Sequence, residues 1–260
     1  MLRRKLVSVV PNHYFSVSYN SKGRFCSYWH QIDEIISLKP SSVLEIGIGN
    51  KFVSNYLKEY GVNVVTFDID IRLNPNIVGS VLFLPFAENS FDVIVCYEVL
   101  EHIPYKYFRK ALFEIYRVVN SKVVISLPDI ERCYKIHFKF LKRVEVKKYI
   151  EVPRRNKPIH KFDGEHYWEI GKQGYSLNRI CQEIVESGFR IKRTYRVFEN
   201  TYHRFFVLEK AKERFNGTLI LGNLRLGNSE DWRKNFEERL TFKKICRYLH
   251  LMVINFIKFM

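Results

Sequence analysis

Cysteine is scarce and scattered in this 260-residue chain: Cys26, Cys96, Cys133, Cys181 and Cys246 include no close pair and no zinc-ligand spacing. A disulfide framework or zinc knuckle is therefore not expected, and a reducing, cytoplasmic setting is. Long apolar runs are also lacking. The longest late one, residues 249–257, falls well short of the roughly 20 residues needed to cross a bilayer, so no transmembrane segment is expected. Residues 1–10 begin basic and turn apolar like a signal peptide, but Pro11-Asn12-His13 ends the apolar part early, and the segment reads as mature protein. Acidic residues are in deficit, and the net charge is +16. The deficit is uneven: residues 1–40 hold six basic and two acidic side chains, 41–130 hold eight and ten, and 131–260 hold 29 and 15. A basic excess of this kind fits an anionic partner or membrane surface at the C-terminal half, or a solvated Lys-rich surface. At 47% hydrophobic, the chain is rich enough to bury one substantial core.

The most informative stretch is Val43-Leu44-Glu45-Ile46-Gly47-Ile48-Gly49-Asn50, an apolar strand that ends in an acid and two spaced glycines. Such a turn lets a ligand lie against the main chain. A pyrophosphate site calls for a third glycine at the position of Phe52, which is absent, and nicotinamide sites carry an apolar residue or glycine where this chain has Glu45. An acid there suits a cationic ligand, and S-adenosylmethionine, with an ammonium, a sulfonium, a ribose and no phosphate, is one. Asp68 ends the next apolar run, where a carboxylate suits a ribose diol. The block from Leu84 to His102 supplies a turn, a buried strand and a loop entering a helix.

In order and spacing, residues 42–128 resemble the class I S-adenosylmethionine-dependent methyltransferases of the broad type 11-like group, with a weaker continuation to Lys210. The resemblance implies an α/β fold, a Rossmann-like doubly wound, seven-stranded, mostly parallel sheet with a C-terminal antiparallel strand, and a helical C-terminal appendage. It implies S-adenosyl-L-methionine as cofactor. Glu45, Gly47 and Gly49 would line its methionine end, Asp68 would hold the ribose, and Ile69 would pack on the adenine. Ser80 and Val81 would sit at the adenine edge, with Tyr97 near the methyl group. Two positions depart from the pattern. Lys51 replaces the third small residue of the first motif and is expected in the first helical turn, pointing to solvent. Ser80 replaces an acid that often meets the adenine amino group, and its hydroxyl can still accept a hydrogen bond.

Strands are expected at residues 43–46, 64–67, 93–96 and 123–127, with helices at 51–59 and 105–119 and a covering helix at 28–38. A helix at 176–187, capped by Ser176 and stopped by Gly188, precedes two last strands, 190–196 and 204–209, that form a hairpin in the resembling family. The expected organisation is an N-terminal cover (1–40), a methyltransferase domain (41–212) whose segment 129–175 is the acceptor-side lid, and a glycine-bearing linker with a basic amphipathic helix (213–260). That last helix could dock on its own domain, a second subunit or a membrane surface.

Methyl transfer from a sulfonium can rest on alignment and exclusion of water, so a dedicated base is optional. Acceptor-side candidates are Glu98, Glu101 and His102 after the fourth strand, and His160, His166 and Tyr167 from the lid. His102 reads more simply as a helix-start residue bonded to neighbouring backbone. His160, Asp163, Glu165 and His166 match no defined metal spacing, and no metal is expected. Tyr167, Trp168 and Tyr175 fit an acceptor pocket or a lid core equally. The expected activity is methylation of a small-molecule or lipid-linked acceptor. The competing reading is a non-catalytic protein of the same fold that binds nucleic acid or a partner through its basic half; a nicotinamide oxidoreductase is a weaker third.

Overall fold

The computed structural model of the chain describes residues 10–140 and 144–211. The chain divides into units 1–214 and 215–260, so the expected glycine-bearing linker, the C-terminal helix and Cys246 lie outside the described residues, as does most of the basic N-terminal run. No helix among the described residues is long and apolar enough to cross a membrane.

Apolar residues at consecutive positions build the centre of the fold. In β1 (Ser42–Ile46) and β4 (Phe91–Tyr97), Val43, Val93, Val95 and Tyr97 enter one buried cluster, while Leu44, Ile46, Ile94 and Cys96 enter another. Successive side chains of a strand point to opposite faces, so near-continuous apolar runs mean a sheet covered on both sides. Helices α1 (Lys22–Ser37) and α2 (Phe52–Glu59) cover the first face through Tyr28, Ile35, Val53 and Leu57. The second is covered by α3 (Phe108–Val118) and α4 (Leu177–Glu186), through Phe108, Leu112, Ile115, Ile180 and Ile184.

The sheet also contains β2 (Asn63–Asp68), the two-residue β3 (Ile77–Val78), β5 (Val119–Pro128), β8 (Phe189–Arg196) and β9 (His203–Lys210). Its order is β3-β2-β1-β4-β5-β9-β8, with parallel pairing from β3 through β5 and β9 antiparallel to both neighbours. The expected strands and the doubly wound, seven-stranded sheet are therefore present. Order reverses outward from β1 and β4, and the crevice at the carboxyl ends of such strands is where ligands bind in open α/β sheets.

Four local readings change. The covering helix starts at Lys22, earlier than expected, because Ser21 caps it by accepting from Arg24 N at 3.3 Å. Lys51 is not in the first turn of α2: it is the N-cap, in left-handed backbone at φ +60°, with its Nζ donating to Asn74 O at 2.9 Å. The expected helix at 105–119 opens as a 3-10 turn, Tyr105–Tyr107, before α3. The segment 129–175, expected as a lid with no strands of its own named, contains β6 (Arg132–Phe140) and β7 (Val144–Val152), which form a separate antiparallel ribbon.

Candidate functional site

The turn after β1 is shaped by its glycines. Gly47 has φ +80°, and a Cβ there would lie 2.1 Å from Val99 Cγ2, so a side chain is excluded by both backbone and neighbour. Gly47 N donates to Phe67 O at 2.9 Å, and Ile48 N donates to Asp68 Oδ2 at 2.9 Å, which ties the turn to the end of β2. Asn50 closes it by accepting from Phe52 N through Oδ1 at 3.0 Å.

A cavity of about 300 Å³ opens at this turn, and Glu45, Gly47, Gly49, Asp68, Ile69, Ser80, Val81 and Tyr97 all line it. The eight positions singled out by the resemblance thus converge on one space. Glu45 is 4% exposed, its Oε2 has no hydrogen-bond partner, and burial pushes its carboxyl up to about 8. A buried carboxylate oxygen without a partner is costly unless a cation or donor meets it. Asp68 accepts from Ile48 N on one oxygen and from Asp70 N at 2.8 Å on the other. Each oxygen keeps a lone pair for a further donor. Burial raises the Asp68 carboxyl, opposed by these two amides. Tyr97 is 8% exposed, and its hydroxyl donates to Gln31 O at 3.4 Å. The donor set therefore fits a ligand with an ammonium at one end and a diol at the other: an unpartnered acid at Glu45, and open lone pairs on Asp68.

Several lining residues were not indicated by the motifs. His13, Tyr14, Tyr19, Arg24, Gln31 and Tyr202 all face the cavity. The Arg24 guanidinium lies 3.9 Å from the centre of the Tyr19 ring, an attractive cation-π geometry. Asn20 Nδ2 donates to Tyr14 O at 2.8 Å and Asn50 Nδ2 to Asn20 Oδ1 at 3.1 Å, so the segment before α1 is laid against the glycine turn. A cluster of Tyr and Phe ahead of a helix was the one signal in the sequence for this cover.

Among the acceptor-side candidates, Glu98, His102 and His166 line the cavity, joined by Glu165. Tyr167 is not among the lining residues: its N–H donates to Glu101 O at 2.8 Å and its ring lies 4.5 Å from that of Phe162. The buried Trp168 belongs to the core, with Nε1 donating to Ile103 O at 3.1 Å, and Tyr167 and Tyr175 pack against the same core. His102 is bonded to neighbouring backbone through its main-chain N–H, which donates to Val99 O at 3.0 Å, but its side chain is not: Nδ1 lies 2.9 Å from Glu165 O, far along the chain. Burial lowers its pKa, and His166 lowers it further. His166 is itself pulled down by burial, but its hydrogen bond to Glu169, at 3.1 Å from Nδ1, together with the charges of Glu169, Asp163 and Glu98, outweighs that and raises it. Glu169, which burial alone would raise, is lowered to about 2 by His166, Tyr202 and Lys172. His160 lies with Nε2 at 2.8 Å from His166 O and its ring edge-on to that of Tyr175.

Residues 44–127 match the family model described as a methyltransferase domain. Over 87 residues the chain is 36% identical to an uncharacterised protein of Methanocaldococcus jannaschii, a match that takes in 31% of this chain and 36% of that relative, about a third of its length. The fold is similar to that of 1,6-didemethyltoxoflavin-N1-methyltransferase from Burkholderia thailandensis, crystallised with 1,6-didemethyltoxoflavin and S-adenosylhomocysteine (TM-score 0.55, 14% identity, 81% of this chain and 87% of that one). It is also similar to that of a S-adenosylmethionine-dependent methyltransferase from Clostridium acetobutylicum (TM-score 0.51, 10% identity, 75% and 94%). Residues 44–127 are thus similar to a methyltransferase domain, and the described residues share the α/β fold of these S-adenosylmethionine-dependent methyltransferase structures.

Proposed function

We propose that the protein binds S-adenosyl-L-methionine in this cavity and transfers its methyl group to a small-molecule or lipid-linked acceptor. The observation that carries the reading is the pairing of an unpartnered, buried Glu45 oxygen with Asp68 across one glycine-lined space. Glu45 meets the cofactor ammonium, the main chain at Gly47 and Gly49 gives the methionine end room, and Asp68 accepts from the ribose hydroxyls. Arg24, the cation that lines the cavity, takes the methionine carboxylate. Ile69 packs on the adenine, Ser80 and Val81 hold its edge, and Tyr97 fixes the floor near the transferable methyl.

The bound cofactor supplies a methyl group on a good leaving group. What the protein adds is alignment and exclusion of water. The cover formed by Tyr14 and Tyr19 shields the donor, and segment 129–175, which brings Glu165 and His166 to the cavity, serves as the acceptor-side lid. If the acceptor carries a proton, Glu98, His102 and His166 are the groups within the cavity to take it.

Calorimetric titration with S-adenosylmethionine, S-adenosylhomocysteine and NAD tests the reading. Saturable binding of the two adenosyl sulfur compounds and none of NAD is expected; binding of NAD alone, or of none of the three, overturns it.

A further inference from the structure

Behind the acceptor end of the cavity, against His102 and His166 that line it, lies a group that methyl transfer does not require. Glu101 is fully buried, and neither of its carboxylate oxygens has a hydrogen-bond partner. The Oε1 of Glu98 is likewise buried and unpartnered, and Glu98 stands in left-handed backbone at φ +53°. Its charge is felt by Glu101, His102 and His166 alike, which puts all four side chains in one neighbourhood. One ligand-capable atom each from Glu101, His102 and His166 lies within 4.8 Å of the others, and His102 Nε2 is 3.9 Å from Glu101 Oε1.

Both imidazoles are oriented by what their Nδ1 atoms meet. For His102 the partner is the carbonyl oxygen of Glu165, which can only accept, so Nδ1 carries the proton and Nε2 offers a lone pair. For His166 it is the carboxylate of Glu169, held in place by Tyr202 and by Lys172 at 3.3 Å, so Nδ1 again donates and Nε2 is left as the ligand nitrogen. A backbone carbonyl and a carboxylate are the partners that set tautomer and ring angle for metal-bound histidines. Without a cation, both oxygens of the fully buried Glu101 and the buried Oε1 of Glu98 are left without a partner, which burial of a polar group disfavours.

We propose that Glu101, His102 and His166, with Glu98 beside them, form a binding site for a divalent transition-metal cation at the acceptor end of the cavity. A mixed set of imidazole nitrogen and carboxylate oxygen suits manganese, iron, cobalt or zinc; magnesium and calcium favour all-oxygen shells. The signal in the sequence is short, Glu98-x-x-Glu101-His102, and its partner His166 is brought in only by the fold. Resting on the function proposed above, the site selects a hydroxyl acceptor. A hydroxyl held at a cation is a stronger acid and gives its proton to Glu98, which lines the cavity beside the ligands. The oxygen's electron pair then forms the new bond to the methyl carbon, while the pair of the broken carbon–sulfur bond stays on sulfur as a neutral thioether.

The test uses the full chain, without a polyhistidine tag and stripped by chelator, titrated with Mn2+ alone and followed by the electron paramagnetic resonance signal of free Mn2+, with Zn2+ as competitor. S-adenosylhomocysteine calorimetry runs beside it. One saturable site is expected, weakened at least tenfold in Glu101→Gln and in His166→Asn, both of which still bind S-adenosylhomocysteine. Failure of Mn2+ and Zn2+ to bind the unaltered chain at millimolar concentration, or equal binding by both variants, overturns the site. Metal binding that is lost in the variants, in a chain that never binds S-adenosylhomocysteine, upholds the site and removes the donor reading instead.

Discussion

Glu45 couples function to stability in a way that one substitution exposes. Its carboxyl lies at about 8 in the folded chain against an ordinary 4.5, because burial disfavours the charged form. A carboxyl raised on folding keeps its proton in the folded chain while the unfolded chain has lost it. Its favourable contribution is therefore fully present below the unfolded value and is lost as pH rises to about 8. Glu45→Gln removes the ionisable group and retains the shape. The stability difference between the variant and the parent should then grow by about 1.4 kcal/mol per pH unit across that window. Between about pH 5.5 and about pH 7.5 the gap widens by about 2.7 kcal/mol, or roughly 5–11 °C in Tm for a chain of this size. Thermal melts of both proteins across this range, followed by circular dichroism, measure it, and titrating groups that do not interact with Glu45 cancel in the difference. The same variant should bind S-adenosylhomocysteine at least tenfold more weakly, since a neutral amide replaces the partner of an ammonium. Parallel pH profiles for the two proteins would refute the reasoning, because they would mean that Glu45 is solvated or already paired.

Three further outcomes follow from the turn and its surroundings. Asp68→Ala should weaken S-adenosylhomocysteine binding by about 100-fold, as two charge-assisted hydrogen bonds of about 1.5 kcal/mol or more are lost, and unchanged calorimetric affinity would remove Asp68 from the ribose. Gly47→Ala should destabilise the fold by more than about 2 kcal/mol, from φ and from the Val99 overlap together; adding Val99→Ala should restore only the overlap part, read by denaturant unfolding. Lys51→Gly should raise stability by about 0.5–1 kcal/mol, because the left-handed N-cap at φ +60° strains a lysine, with S-adenosylhomocysteine affinity unchanged.

The parallel half of the sheet was legible because its strands are apolar on both faces and end in residues with chemical roles: Glu45 and Asp68 stand at strand ends and reach the same cavity. What could not be read locally was convergence across long separations. Arg24, Gln31 and Tyr202 reach the cavity from α1 and from the turn before β9, and nothing in their immediate sequence marks them. His102 and His166 meet although 63 residues separate His102 from its backbone partner Glu165. The β6–β7 ribbon was missed because Lys, Arg and His interleave its apolar residues, a composition that reads as solvated loop; Tyr134, Ile136 and Phe138 are indeed exposed. Residue type alone leaves Tyr167 equally a pocket or a lid-core residue, and the backbone bond to Glu101 and the tilted ring contact with Phe162 put it on the core side.

The antiparallel placement of β9 beside β5 also separates two kinds of change. Because β9 returns along β5, Asp129 N meets Tyr202 O at 2.7 Å, so the long excursion between them begins and ends at one spot on the sheet. Within it, the ribbon leaves and rejoins at the pair Arg132 and Val152. Lengthening or shortening such a ribbon in matched residue pairs costs little closure entropy and shifts no strand of the main sheet. The glycine turn, Glu45 and Asp68 are built entirely from chain that precedes this excursion. The glycine turn, Glu45 and Asp68 can therefore stay constant while the excursion changes, and it is the stretch carrying Glu165 and His166, not the ribbon, through which such a change reaches the far end of the cavity.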